Sequence, residues 1–243
     1  RMFVDLVGVA KANSSVDYAL LEYCIREDLK LKRSRMMAVL DPIKLVIDNY
    51  PEDQMEEVEV PNNLENPDLG TRKVPFGREL YIEREDFMEV PPRKYFRMFP
   101  GNEVRLMGAY FATCTGCEKD ENGKVTVVHC TYDPETRGGS SADGRKVKGT
   151  IHWVAAKTAV KAECRLYENI VDEEKGKLNE DGSLNLNPNS LTVLTDCYVE
   201  PELAKAQAYD SYQFMRNGYF CADCKDSRPD HLVFNRIVSL KSS

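Results

Sequence analysis

The 243-residue sequence carries 33 Lys and Arg against 40 Asp and Glu, a net charge of -7, with 42% hydrophobic residues. No run approaches the roughly 20 apolar residues that a membrane-spanning helix needs, and the charge excludes a uniformly basic nucleic-acid binder, so that any such function requires segregated charge. The length suits one large all-β unit or two smaller units. The opening residues Arg1-Met-Phe-Val-Asp5 lack the charged-then-apolar layout of a signal segment and read as an internal cut. Eight cysteines stand singly or as close pairs, which fits a reducing compartment, the cytoplasm, better than a disulfide framework.

Along the chain, Ser14 and Ser15 can cap a helix whose apolar face is Val16, Leu20, Tyr23 and Cys24, ending near Leu29. A basic stretch, residues 30–35, follows, and the texture then changes to short β-type runs. Strands are predicted over residues 36–40, 43–47 and 58–60, each stopped by Asp-Pro, Asn-Tyr-Pro or Pro-Asn-Asn. Further strands are predicted over residues 79–82, 104–113, 125–130, 147–154, 191–198, 209–214 and 232–238. Asn122-Gly123 is the strongest hairpin signal, read as a turn with positive φ at both central residues. Residues 137–144 and 172–181 have the composition of exposed loops. Many short strands in this spacing point to barrels or sandwiches.

Charge is strongly segregated. Residues 48–68 hold eight acidic side chains and no basic one, whereas Arg137, Arg145, Lys146, Lys148, Lys157, Lys161 and Arg165 face only Asp143 and Glu163 over the same stretch. Arg93, Lys94, Arg97 and Arg105 make a second basic run. Two C-x-x-C pairs, Cys114/Cys117 and Cys221/Cys224, have the ligand type of a zinc site, but they lie far apart, and strand alternation would turn Cys114 and Cys117 to opposite faces. Ordinary thiols and no metal are the expectation. His129, His152 and His231 sit in no nucleophile or metal pattern, and Gly138-Gly139 lacks the strand and helix of a phosphate loop.

Longer strings carry more. Leu40-Asp-Pro-Ile-Lys-Leu-Val46, Gly70-Thr-Arg-Lys-Val-Pro-Phe76, Tyr81-Ile-Glu-Arg-Glu-Asp-Phe87, Cys130-Thr-Tyr-Asp-Pro134, Asp143-Gly-Arg-Lys-Val-Lys-Gly-Thr-Ile-His-Trp-Val154, Leu186-Asn-Pro-Asn-Ser-Leu191 and Val233-Phe-Asn-Arg236 resemble, in order and spacing, the carboxy-terminal half of class I glutaminyl-tRNA synthetases. The resemblance runs from Phe3 to Leu240. It implies a mainly β fold with two anticodon-binding β-barrels preceded by a short helical segment. The implied division is a connector over residues 1–34, a proximal barrel from residues 35–91 and 166–243, and a distal barrel from residues 92–165.

The resemblance also implies roles. Arg35, Gln213 and Arg216 match positions that read the central anticodon uridine, where guanidinium and carboxamide groups suit the edges of an unpaired base. For the third letter the family has Lys-Arg and this chain has Phe96-Arg97, so only Arg97 carries over. Phe96 could stack a splayed base in place of a phosphate contact, but an aromatic in a strand-rich chain is more often core, and the core is the expectation. For the first letter the family has Arg-x-Arg and this chain has Arg105-Leu-Met107, leaving Arg105. Lys94 stands where the family has Gln and restores a charge. A stretch touching the tRNA elbow corresponds to Ala10-Lys-Ala-Asn-Ser14, with Lys11 and Asn13 as candidates.

Neither a His-Ile-Gly-His type motif nor a Lys-Met-Ser-Lys-Ser type loop is present. The resemblance therefore implies a tRNA-reading portion, without catalytic residues or cofactor, of an ATP- and magnesium-dependent, AMP-forming ligase. Its expected partners are glutamine tRNA directly, and glutamine and ATP through a catalytic domain; a monomer and no membrane are expected. A general RNA-binding or scaffold barrel, a zinc-stabilised module and the glutamyl branch of the same family remain as alternatives.

Overall fold

The computed structural model describes residues 1–13, 16–171 and 175–240. Two helices lead in, α1 (Met2–Val7) and α2 (Tyr18–Lys30). Ser14 and Ser15 lie outside the described residues. The cap of α2 is Asp17, whose carboxylate accepts from the Ala19 N–H at 2.9 Å. Its buried face also differs from the expected one: Val16 and Tyr23 are exposed, whereas Cys24 and Leu29 are buried. Leu29 packs with Ile25 against Tyr219 and Val238, so the last turns of α2 make the contact with the β structure.

One seven-stranded sheet runs in the order β1 (Arg35–Met36), β14 (Ser211–Phe214), β15 (Gly218–Ala222), β16 (Leu232–Val238), β12 (Val160–Tyr167), β13 (Leu191–Val199), β2 (Ala38–Val39). Its two ends are supplied by one short segment. Met36 pairs with Phe214 at one edge and Ala38 with Val199 at the other, so the edges must meet and the sheet curls into a barrel. The core within it contains Phe214, Phe220 and Phe234, with ring centroids of the first two 4.5 Å apart.

The second seven-stranded sheet uses the same device. Its order is β10 (Thr150–Ile151), β7 (Glu103–Leu106), β8 (Phe111–Lys119), β9 (Val125–Asp133), β3 (Pro42–Ile47), β6 (Glu79–Glu83), β11 (Val154–Ala155). Thr150 pairs with Arg105 and Val154 with Tyr81, again bringing both edges to one segment. A ribbon of β4 (Met55–Pro61) and β5 (Thr71–Gly77) adds Val58, Val60, Val74 and Phe76 to this core, where Phe76 meets Trp153 edge-on at 5.1 Å. The two sheets are thus barrel-like, one nearly closed and the other a half-barrel.

The sheets divide the chain elsewhere than expected. Residues 35–39 and 160–238 form one, and residues 42–155 the other. The reason is pairing: β3 lies parallel to β9 from Lys44↔Val127 to Ile47↔Cys130, which ties residues 42–83 to the middle of the chain. Strand β12, expected with the distal barrel, sits between β13 and β16. Strands β5, β12 and β15 were not among the predicted ones, and the predicted run over 104–113 is two strands separated by a turn. The Asn122-Gly123 hairpin forms, but only Gly123 has positive φ (78°). The Gly123 N–H donates to the Asp120 carbonyl, the signature of a type I turn followed by a left-handed glycine.

Two buried carboxylates fasten the crossing between sheets. Glu200 accepts from the Met37 N–H at 2.5 Å and from Arg72 through both oxygens, at 2.7 and 2.6 Å. The same Arg72 donates to the Arg35 carbonyl at 2.9 Å. Glu83 accepts from the N–H groups of Leu40 and Asp41. Burial alone would raise the Glu83 carboxyl, but the His152 ring and these two N–H groups outweigh it and hold it at about 2.

Candidate nucleic-acid interface

Barrel closure sets Arg35 directly opposite Gln213, as parallel partners in β1 and β14, with the Gln213 N–H donating to the Ser34 carbonyl at 2.9 Å. Both line a cleft of about 350 Å3 shared with Lys30, Glu65, Tyr219 and the C-terminal end of α2. Arg35 is largely buried, at 16% exposure, and its Nη2 lies 2.5 Å from Glu65 Oε1, while Lys30 Nζ reaches the other Glu65 oxygen at 2.9 Å. The hydrogen bond from Lys30, then that from Arg35, holds the Glu65 carboxyl below its ordinary range, and Glu65 in turn raises the Lys30 ammonium. Among the described residues, Arg35 Nε makes no hydrogen bond, and the Gln213 side chain makes none. The cleft thus presents guanidinium and carboxamide groups side by side.

Arg216 does not line this cleft. It is the third residue of a turn closed by the Asn217 N–H to the Phe214 carbonyl, with φ of 65°, a conformation that a non-glycine residue holds at a cost. Its guanidinium grips Asp86 at both oxygens, 2.8 and 2.5 Å, and its Nε donates to His152 Nδ1 at 3.2 Å. That leaves His152 Nε2 to donate to the Ala38 carbonyl at 2.9 Å. Arg97 approaches the same carboxylate, Nε to Asp86 Oδ1 at 3.3 Å, and also pairs with Glu85 at 3.0 Å. Arg216 and Arg97, matched to different anticodon letters, therefore meet at one buried acid.

Arg105 is turned along the second barrel. Its Nε donates to the Gly139 carbonyl at 2.6 Å, its Nη1 to Thr150 Oγ1 at 3.3 Å, and its Cζ sits 5.2 Å from the Phe111 ring centroid. Met107, where the family has a second cation, packs against the core, and its carbonyl accepts from Trp153 Nε1 at 3.0 Å. Lys94 is exposed at the positive-φ position of the turn closed by Tyr95 N–H to Pro92 O. Phe96, expected in the core, is 47% exposed, with Lys148 Nζ 4.9 Å from its ring centroid. Lys11 and Asn13 are exposed in the segment between α1 and α2, away from the Arg35 cleft lining.

The basic run from 137 to 165 is mostly neutralised within the fold. Arg145 contacts Glu103, Asp133 and Asp143 at 2.9, 2.5 and 3.0 Å, Arg137 contacts Glu56, and Arg165 contacts Glu163 and Asp226. Lys161 pairs with Asp196 at 2.7 Å. Lys146, Lys148 and Lys157 are exposed and make no ion pair among the described residues. The two C-x-x-C pairs sit in different sheets, Cys114 and Cys117 in β8, and Cys221 in β15 with Cys224 just beyond it. Among the described residues, no group of His, Cys, Asp and Glu is arranged to hold a metal ion. No helix among them is long and apolar enough to cross a membrane.

Comparison with known proteins matches this geometry to a family. Two models described as tRNA synthetases class I (E and Q), anti-codon binding domain, cover residues 34–133 and 150–223. The glutamine--tRNA ligase of Clostridium perfringens is 55% identical over 247 residues, spanning 100% of this chain and 44% of its own length. Those of Clostridium kluyveri and Bradyrhizobium diazoefficiens are each 51% identical over all of this chain, which spans 44% and 43% of their lengths. The chain thus spans less than half the length of the relatives it matches. All strands of the second barrel, and all of the first except β16, fall within the matched regions, and the chain belongs to the anticodon-binding domain family of the class I (E and Q) tRNA synthetases.

Proposed function

We propose that this chain reads the anticodon loop of glutamine tRNA on behalf of an ATP-dependent glutamine--tRNA ligase. The observation that carries the reading is the Arg35–Gln213 register, which closes the first barrel and sets two base-reading side chains in one cleft. A uracil edge offers two carbonyl acceptors and one imino donor. The Gln213 carboxamide can donate to one and accept from the other, while Arg35 donates to a carbonyl or phosphate. Arg216 acts at one remove: its grip on Asp86 fixes the β14–β15 turn and hence the register of Gln213. Arg97, Arg105 and Lys94 serve the flanking letters, and Lys11 and Asn13 the elbow.

In this reading glutamine, ATP and magnesium bind a catalytic domain outside this sequence, the protein works in the cytoplasm as a monomer, and this portion supplies remote binding energy that seats the acceptor end. The names of the relatives support glutamine over glutamate as the amino acid. The test is titration of the chain with glutamine-tRNA transcripts. Changing the central uridine to cytidine should weaken binding roughly tenfold or more, since each bidentate base contact is worth about 1–3 kcal/mol of discrimination. Equal affinity for both transcripts, together with no effect of Arg35→Ala, would overturn the assignment.

A further inference from the structure

More than half of the Lys and Arg side chains pair with acids within the fold, which makes a cluster of exposed, unpaired ones informative. Arg93, Lys94, Lys146 and Lys148 are all exposed, and none makes an ion pair among the described residues. They come from two stretches that the fold brings together at Phe96. Lys148 Nζ lies 4.9 Å from the Phe96 ring centroid. Gly149 passes so close to the Phe96 backbone that a Cβ there would meet the Phe96 carbonyl oxygen at 1.9 Å. The lack of a side chain at Gly149 permits this close approach of the two stretches, and the Phe96 ring stands half exposed beside Lys148.

An aromatic ring that is 47% exposed gains nothing from burial for that part of its surface, and the other large rings nearby are placed differently. Phe111 is fully buried between the guanidinium groups of Arg105 and Arg145. A half-open ring among uncompensated cations has the composition of a single-stranded nucleic-acid platform, in which bases stack on aromatics and the backbone follows positive charge. An apolar protein partner would leave those ammonium groups desolvated and unpaired, which is costly.

We propose that Phe96, with Lys148 against its ring, is a stacking platform for one unpaired base of the bound RNA loop, while Arg93, Lys94 and Lys146 take the flanking phosphates. This rests on the RNA-binding reading above and adds a site to it. Stacking tolerates any base, so the platform contributes affinity and loop geometry, and leaves the choice of base to hydrogen-bonding residues.

The experiment uses the chain and tRNA transcripts carrying 2-aminopurine at each anticodon-loop position in turn, with the wild type, Phe96→Ala, Phe96→Tyr, Lys146→Gln, Lys148→Gln and Arg35→Ala. Stacking predicts fluorescence quenching at one position that Phe96→Ala abolishes and Phe96→Tyr keeps, with affinity roughly tenfold lower in the alanine variant. Lys146→Gln, at a phosphate-contacting position, should reduce the slope of log affinity against log salt by about 0.7, one single-strand phosphate contact, whereas Lys148→Gln, which removes the cation against the ring, should weaken the quenching. Because Phe96 is half exposed, thermal melting of Phe96→Ala should match the wild type within a few degrees. If Phe96→Ala keeps both affinity and quenching while Arg35→Ala weakens binding, the platform is overturned and the RNA-binding reading stands. If the wild type does not bind the transcripts, both fall.

Discussion

Arg216 and Asp86 form a two-pronged ion pair, 2.8 and 2.5 Å, in which the carboxylate has no exposed surface and the arginine backbone is held at positive φ. The acid lies in the second barrel's segment and the arginine in the first barrel's hairpin, so the pair couples a strained turn to a neighbouring sheet. Asp86→Ala leaves Arg216 without its partner while the turn strain remains. A loss of about 3–5 kcal/mol is expected, and urea unfolding should show it as a lower midpoint. A loss below about 1 kcal/mol would mean that the turn holds without the ion pair.

In the proposed reading, Glu65 competes with RNA for Arg35 and Lys30, with which it pairs. Glu65→Gln should therefore tighten transcript binding a few-fold at about 50 mM salt, with the gain shrinking as salt rises. Fluorescence titration at two salt concentrations checks this, and weaker binding by the variant would contradict the cleft assignment.

The closure of the first barrel depends on Arg72 and Glu200, side chains that are 9% and 1% exposed. Glu200→Ala removes the acceptor of both Arg72 and the Met37 N–H, and should destabilise by about 3–5 kcal/mol. Replacing both, Arg72→Met with Glu200→Leu, should cost less than the two single changes summed, which a double-mutant cycle measures.

His129 lies between Asp48 Oδ1 at 2.9 Å and Glu118 Oε1 at 2.8 Å, and the hydrogen bond to Asp48, then that to Glu118, raises its imidazole above the ordinary value near 6.5. The protonated form is favoured by folding, so its stabilisation is complete below about pH 6.5 and disappears as pH rises through the elevated folded value. The ring is partly exposed, which limits the effect to about 1 kcal/mol. Stability of the wild type minus His129→Gln should be positive at pH 5.5 and fall towards zero by pH 9. A difference that grew with pH would exclude the assignment.

The sequence disclosed much of this fold where one sheet face is buried, because alternation then survives in the residues. Strand β3, Pro42–Ile47, alternates half-buried and buried along its whole length and was foreseen. Strand β12 alternates too, Val160, Ala162, Cys164 and Leu166 against mostly charged neighbours, but the surrounding basic run masks the pattern. Strand β5 was hidden by Pro75, which an edge ribbon tolerates. Which sheet each strand joins was not legible, since parallel pairing of Lys44 with Val127 leaves no local trace.

For the interface, the resemblance names Arg35 and Gln213, which the fold sets opposite one another, and says nothing of Arg216's partner, because Asp86 sits in an ordinary-looking acidic stretch. Phe96 was misplaced for a similar reason. Aromatics in a strand-rich chain are usually core, whereas Phe96 lies outside any strand with its ring 47% exposed. An exposed aromatic flanked by Arg93 and Lys94 was the available signal.

Residues 35–39 precede the entire second barrel in the chain, whereas the strands that receive them on either side, β13 and β14, follow it. Ribosomal addition of about 5–20 residues per second leaves the inner barrel several seconds to complete itself while this segment has no partner. The expected order of assembly is therefore inside first and outside last. The cleft that Arg35 and Gln213 share would come into being only when the final third of this sequence has been made, so a truncated product would carry a finished barrel and no such cleft. Proteolysis of stalled nascent chains ending near residue 190 would test this, by finding residues 42–155 protected and residues 35–39 cleavable.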